Sequence, residues 1–434
     1  MNNRSLIIKY IVSVLGLLFI TQVHAQEVSL TLSEALQKAF ESNYGIIISK
    51  SDADIAALNN SWGKAGRFPT VGFTASSNNS KELIDNSSTN RISGGVGLNW
   101  ILFNGFKVNI TKDKLEKLSH IAEGRVGVVV ENTIQDVIMS YYNILLQKER
   151  LEVLNKVMSL SKDRYSYEQK KQELGSSVTY NVLLAKNIFL EDKASYLSQE
   201  VIVKNAIRNL NFLMGEQPSQ SWSFAEDFTS DTVQYILADL LDKMLANNQT
   251  LQNQYVNLLM QQDEIKLQKG SLYPRVSLST GIENSYSWIN TELQGEIYNE
   301  DLTPYGNVSL TYDIYSAGNR KRAIDIAKIN EEVTQVETEE MVHSLTNQLF
   351  NEFETYNLRK ELLNVSNESL EAAEMNLQIA EEKFKTGAIN SFNYRDIQLY
   401  YLNSAINQLQ SIYNLIYSNT ILTRLTGGFL DEAE

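Results

Sequence analysis

The chain has 434 residues, no cysteine and a formal net charge of −14, which becomes −16 once Arg4 and Lys9 leave with the leader ending at Ala25. Without cysteine, neither a disulfide nor a thioether-linked N-terminal lipid is available, and the acidic balance argues against a nucleic-acid partner. Beyond the leader, no segment offers the roughly 18 to 20 nearly uncharged apolar residues of a spanning helix, so a membrane would have to be crossed by β-strands.

Residues 1–25 read as a secretory signal peptide: basic Arg4 and Lys9, the apolar run from Ile11 to Ile20, and Val23-His24-Ala25 before the expected cleavage. Thr31-Leu32-Ser33-Glu34 is a capping box that opens a helix expected to run unbroken from Leu32 to about Lys64, where Gly66 and Pro69 end it. The period then changes. Val71, Phe73 and Ala75 alternate with polar residues, as do Ile92, Val96, Leu98, Trp100 and Leu102, with a long polar loop expected from Asn78 to Asn90. This predicts a hairpin of strands about twelve residues long, enough for a tilted transmembrane strand. Gly94, Gly95 and Gly97 fall inside the alternation, where small residues relieve crowding in a curved sheet.

From about Lys107 to Glu173, one apolar residue recurs every seventh position: Val130, Val137, Ile144, Leu151, Met158 and Tyr165. That pattern belongs to a supercoiling helix, about 100 Å long at 1.5 Å per residue. Leu174, Gly175, Ser176 and Ser177 interrupt it, and a return helix follows from Tyr180 to Met214.

The same pattern then restarts. Leu36, Asn43 and Pro69 recur at one constant offset as Leu241, Asn248 and Pro274. The heptad stripe recurs at a second constant offset, seven positions longer, as Val342, Leu349, Tyr356, Leu363, Leu370 and Leu377, extended by Phe384. Two tandem copies at 26–215 and 231–427 are expected, joined by a linker at 216–230 and followed by a tail at 428–434. The hairpins occupy about 68–104 and 273–316, and the seven extra positions of the second copy are expected as one loop insertion. Its acidic loop carries Glu292, Glu296, Glu300 and Asp301, and its second tip is Thr386, Gly387 and Ala388.

Nothing in the chain reads as an active site, so no enzyme activity, metal or cofactor is expected. The three histidines, His24, His120 and His343, share no ligand spacing. The informative side chains are aromatic: Phe68, Trp100, Phe103, Tyr273, Trp288, Tyr312 and Tyr315 lie near strand ends, where rings meet lipid headgroups. Four strands cannot close a barrel, whereas two chains supply eight and three supply twelve.

In this order, and twice over, the landmarks resemble the TolC-type outer-membrane efflux proteins. They are Leu30-Thr31-Leu32-Ser33-Glu34-Ala35-Leu36, Arg67-Phe68-Pro69 and Tyr273-Pro274, Trp100 to Gly105 and Tyr312 to Gly318, the turns Leu174-Gly175 and Thr386-Gly387, and the endings Leu213-Met214-Gly215 and Leu425-Thr426-Gly427. Where the family has two glycines after the second strand, each copy keeps one, Gly105 or Gly318. The resemblance implies a mainly helical chain with membrane strands, forming a homotrimer with a 12-stranded β-barrel in outer-membrane lipid and an α-barrel in the periplasm. It also implies a passive exit duct whose tips meet a periplasmic adaptor and an inner-membrane pump of the resistance-nodulation-division or ABC type. Family members carry two acids just past the second turn; alignment on Gly387 puts Asn393 and Asp396 there, so one gate ring of carboxylates is implied. The competing expectation is an exported coiled-coil scaffold without a pore.

Overall fold

The computed structural model describes residues 28–84, 87–291 and 295–431; the expected signal peptide and Glu292 lie outside them. The chain runs β1 (Val28–Leu30), α1 (Leu32–Ser42), α2 (Tyr44–Asn59), β2 (Thr70–Glu82), β3 (Ser87–Phe103), α3 (Lys107–Glu173) and α4 (Thr179–Leu213). It continues with β4 (Trp222–Phe224), α5 (Leu237–Asn247), α6 (Gln249–Gly270), β5 (Arg275–Thr291), β6 (Gly295–Thr311), α7 (Asn319–Lys385), α8 (Ser391–Leu425) and α9 (Gly428–Asp431). Both ends of α7 and α8 keep the longer offset from those of α3 and α4, while β5 starts at the shorter offset from β2 and β6 three positions beyond it from β3. The seven extra positions are therefore divided, three in the hairpin and four between hairpin and long helix, rather than forming one insertion.

The first helix of each copy is two helices, not one. Asn43 leaves the helical region at φ −66° and ψ 126°, and its side chain accepts from the N–H groups of Gly45 and Ile46. Asn248 does the same at φ −63° and ψ 112°, accepting from Leu251 N–H. Each asparagine ends one helix and caps the next.

The chain forms two compact units. The first comprises residues up to Ala39, Ser140–Thr229 and Ala373–Leu409; the second comprises Phe40–Met139, Ser230–Ala372 and the chain from Gln410. In the first, the capping box closes as expected, with Thr31 N–H donating to Glu34 Oε2 at 2.8 Å and Glu34 N–H to Thr31 Oγ1 at 3.2 Å. The expected linker is partly folded: β4 pairs in parallel with β1, and buried Tyr141 donates from its hydroxyl to Leu30 O at 3.0 Å.

The second unit holds an antiparallel sheet in the order β2-β3-β5-β6. The expected loop from Asn78 to Asn90 is mostly strand, since Asn78 pairs with Arg91 and the ladder continues to Glu82 and Ser87. Likewise Glu296, Glu300 and Asp301 lie on β6, in register with Asn290, Tyr286 and Ser285. One sheet face carries Phe73, Val96, Leu98, Ile282, Val308 and Leu310; the other carries Arg91, Ser93, Gly95, Gly97, Glu283 and Tyr305. The glycines permit close approach. A Cβ at Gly95 would stand 2.7 Å from Ile282 O, and one at Gly97 2.8 Å from the Tyr305 hydroxyl.

The two heptad stripes bury differently. In α7, Leu349, Tyr356, Leu363, Leu377 and Phe384 are all buried. In α3, Val130, Val137 and Ile144 are buried, but beyond them Val157, Ser161, Arg164 and Glu168 take the inside positions instead of Met158 and Tyr165. A straight helix drifts by about 20° per heptad, and here polar partners occupy the shifted seam.

Candidate functional site: the helix tips and the rim of the sheet

Each tip is a helix ending in a left-handed residue. Gly175 has φ 75°; its N–H bonds Gln172 O at 2.9 Å, and Ser176 N–H bonds Lys171 O at 2.8 Å. Gly387 has φ 77°; its N–H bonds Phe384 O at 3.1 Å, and Ala388 N–H bonds Lys383 O at 2.7 Å. Both are Schellman closures, which satisfy the last carbonyls of a helix. A Cβ at either glycine would meet nothing within 4 Å, so glycine is required by the backbone and not by space. Leu174, Ser176, Thr386 and Ala388 are exposed on the single chain, and Ser177 turns half inward to donate to Glu168 Oε2 at 2.7 Å.

Beyond the second tip, Asn390 caps α8 by accepting from the N–H groups of Phe392 and Asn393 at 3.0 and 2.8 Å. Asn393 and Asp396 are both exposed in the first turns of α8, on one side as a spacing of three dictates. Among the described residues Asp396 has no ion-pair partner. Its neighbour Arg395 points the other way and grips Asp192 through both terminal nitrogens at 2.8 Å each. Arg164, 2% exposed, donates to Ser391 O at 3.3 Å. Burial and the nearby Arg395 pull its guanidinium below the usual range, while Asp192 and Glu168 oppose them. Sequence reasoning missed this network; its one signal was a charged residue directly beside Tyr165, the last member of the expected stripe.

The aromatic residues fall at two levels of the sheet. Trp288 lies in register with Asn90 and Tyr298 near the hairpin turns. Phe68, Trp100, Phe103, Tyr273, Tyr312 and Tyr315 lie at the end from which the helices leave. A bulge at Leu102 places Phe103 opposite Val276, on the apolar face shared with Trp100. Phe103, Phe106 and Tyr273 meet edge to face at centroid distances of 5.3 to 6.4 Å. The turn after the second strand keeps two consecutive left-handed residues in each copy although only one is glycine: Gly105 with Phe106 (φ 66°), and Ala317 (φ 50°) with Gly318.

Paired long helices and a four-stranded sheet with one apolar face are the elements of an outer-membrane channel subunit. Residues 52–216 and 240–428 match the outer membrane efflux protein family, and the chain belongs to it. Among solved structures it is similar to the outer-membrane channel OprN, at 18% identity over 92% of this chain and 90% of that one, with a TM-score of 0.74. It is also similar to the Campylobacter jejuni CmeC outer membrane channel (15%, 92% and 85%, TM-score 0.74). The Vibrio cholerae outer membrane protein VceC gives 12%, 91% and 96%, with a TM-score of 0.72. No curated protein matches it. The chain is thus an efflux-duct component of the outer membrane, extending into the periplasm.

Proposed function

We propose that three copies close one 12-stranded barrel and one helical tube, forming a passive exit duct that opens when a periplasmic adaptor and an inner-membrane pump engage its tips. The observation that carries this reading is the open sheet: β2 and β6 are both edges in the single chain, and the four strands have one apolar face. Trp100 stands opposite Leu278, and Trp288 lies ten positions further along β5. At about 3.3 Å per residue and a tilt near 45°, the band between the two rings is roughly 23 Å tall, close to the thickness a membrane barrel requires. A soluble scaffold would leave this face in water, and a contiguous apolar surface of that size marks an interface. Rings of Leu174, Gly175, Thr386 and Gly387 would be the adaptor contacts, and three copies of Asp396 would line the narrow opening and favour cations.

The test is conductance of the purified full chain in planar bilayers, with and without Asp396→Asn. Weakly conducting trimers whose cation selectivity falls in the variant are expected. A chain that stays monomeric and water-soluble without detergent would overturn the duct, and unchanged selectivity would remove Asp396 from the opening.

A further inference from the structure

At the helix side of the sheet, the apolar face ends in a cleft rather than a plain aromatic belt. A cavity of about 720 Å³ is lined by Trp62, Arg67, Trp100, Phe103, Phe106 and Asp113. Two cations share one of its rings: Arg67 Cζ is 4.5 Å from the Trp62 centroid and Lys112 Nζ 5.8 Å. Lys112 also reaches the exposed Glu116 at 3.3 Å, whereas Arg67 has no ion-pair partner among the described residues. In a chain of net charge −14, two cations on one indole are out of keeping with the surroundings, and of the two only Arg67 lines the cavity. A quadrupole attracts both but neutralises neither.

The loop that carries Arg67 is fixed from below, because Trp100 Nε1 donates to Arg67 O at 2.9 Å. Phe106 keeps its ring against Phe103 at 5.3 Å although its own backbone sits at φ 66°, a conformation strained for a non-glycine residue. The cleft therefore presents preorganised apolar walls, one cation without an ion-pair partner at Arg67 and, at Asp113, one carboxylate. That set complements a phosphodiester followed by an ammonium group.

We propose that this rim binds the headgroup of a phosphatidylethanolamine-type lipid in the periplasmic leaflet, its phosphate on Arg67 and its ammonium toward Asp113. The inference rests on the membrane-spanning reading above. Asp113 repels a second negative charge, so a free phosphate dianion fits poorly. A choline headgroup, with no N–H to donate, forfeits the hydrogen bond to the carboxylate.

Native mass spectrometry of the full chain in detergent tests this, with phosphatidylethanolamine, phosphatidylcholine and inorganic phosphate added in turn. One phosphatidylethanolamine per chain should be retained. Arg67→Gln should weaken retention about tenfold or more, and Asp113→Asn should remove the preference over phosphatidylcholine. Bilayer conductance of the same variants serves as the folding control and should be unchanged. Equal retention by parent and variants, equal retention of phosphatidylcholine, or displacement by inorganic phosphate would each overturn the assignment while conductance leaves the duct standing. Failure of the parent chain to insert would overturn both.

Discussion

Arg395 holds Asp192 through two parallel hydrogen bonds of 2.8 Å, joining α8 to α4 one turn beyond the second tip. The pair is largely buried, with side chains 14% and 10% exposed. Breaking such a pair costs more than the pair contributes, because the survivor is left desolvated. Asp192 also faces Arg164, whereas Arg395 repels it. Asp192→Asn should therefore destabilise the tip by about 3 kcal/mol, and Arg395→Gln by clearly less. Amide exchange of residues 179–192 in the two variants would rank them; equal exchange would refute the asymmetry.

Glu131 gives a pH dependence. It is 5% exposed, and burial pushes its carboxyl up to about 7 against the opposing pull of Arg424. Asp136 is raised by burial as well, again with Arg424 opposing. Because the folded chain holds the proton more tightly than the unfolded one, stability is full below about pH 4.5 and falls as pH rises to about 7. Glu131→Gln should flatten that fall and add about 3 kcal/mol at pH 8, read as denaturant midpoints across the pH range. A parallel shift at every pH would contradict it.

The two glycines beneath Tyr305 should respond differently to repair. A Cβ at Gly97 meets only the Tyr305 hydroxyl, at 2.8 Å, whereas one at Gly281 also meets Val96 O at 2.3 Å and Gly97 Cα at 2.9 Å. Tyr305→Ala should restore stability to Gly97→Ala but not to Gly281→Ala, as measured by heat dissociation of the assembled protein on gels. Equal rescue of both would refute the backbone clash at Gly281.

Ala317 stands in the left-handed region at φ 50° and is a candidate for relief. Ala317→Gly should stabilise by about 1 kcal/mol. Phe106→Gly relieves the same strain but removes the ring contacts with Phe103 and Tyr273, so it should destabilise. Thermal midpoints of the two variants moving in the same direction would refute the account.

At the tips, Gly175→Ala and Gly387→Ala enter open space at φ 75° and 77°. Each should cost about 1 kcal/mol of local stability. Export by cells should fall while the protein remains assembled in the membrane; unchanged export from both variants would argue against adaptor contact there.

Legibility in the sequence followed periodicity. The heptads and the strand alternation within the apolar band were readable because burial or lipid repeats the same demand every turn or every second residue. Beyond the band, over 78–82 and 87–90, both faces are polar; the ladder persists through backbone hydrogen bonds that leave no side-chain pattern. Asn43 and Asn248 were visible as repeat landmarks, yet their work as caps is a matter of φ and ψ. The short strands β1 and β4 have no room for a period. The network of Arg164, Asp192 and Arg395 joins partners far apart in the chain, and no local rule connects them.

In a lone copy β2 and β6, 13 and 17 residues long, are edge strands, and about every second residue of each turns its backbone N–H and C=O away from the sheet. An exposed edge of that length recruits whatever strand arrives first. Subunit supply thereby becomes a folding variable. A copy made slowly and alone spends its time with two adhesive borders in an aqueous compartment, whereas copies made close together find their proper neighbours. On the proposed three-copy barrel, yield should therefore rise more steeply than in proportion to synthesis rate, and depend on an escort that masks both borders until the copies meet.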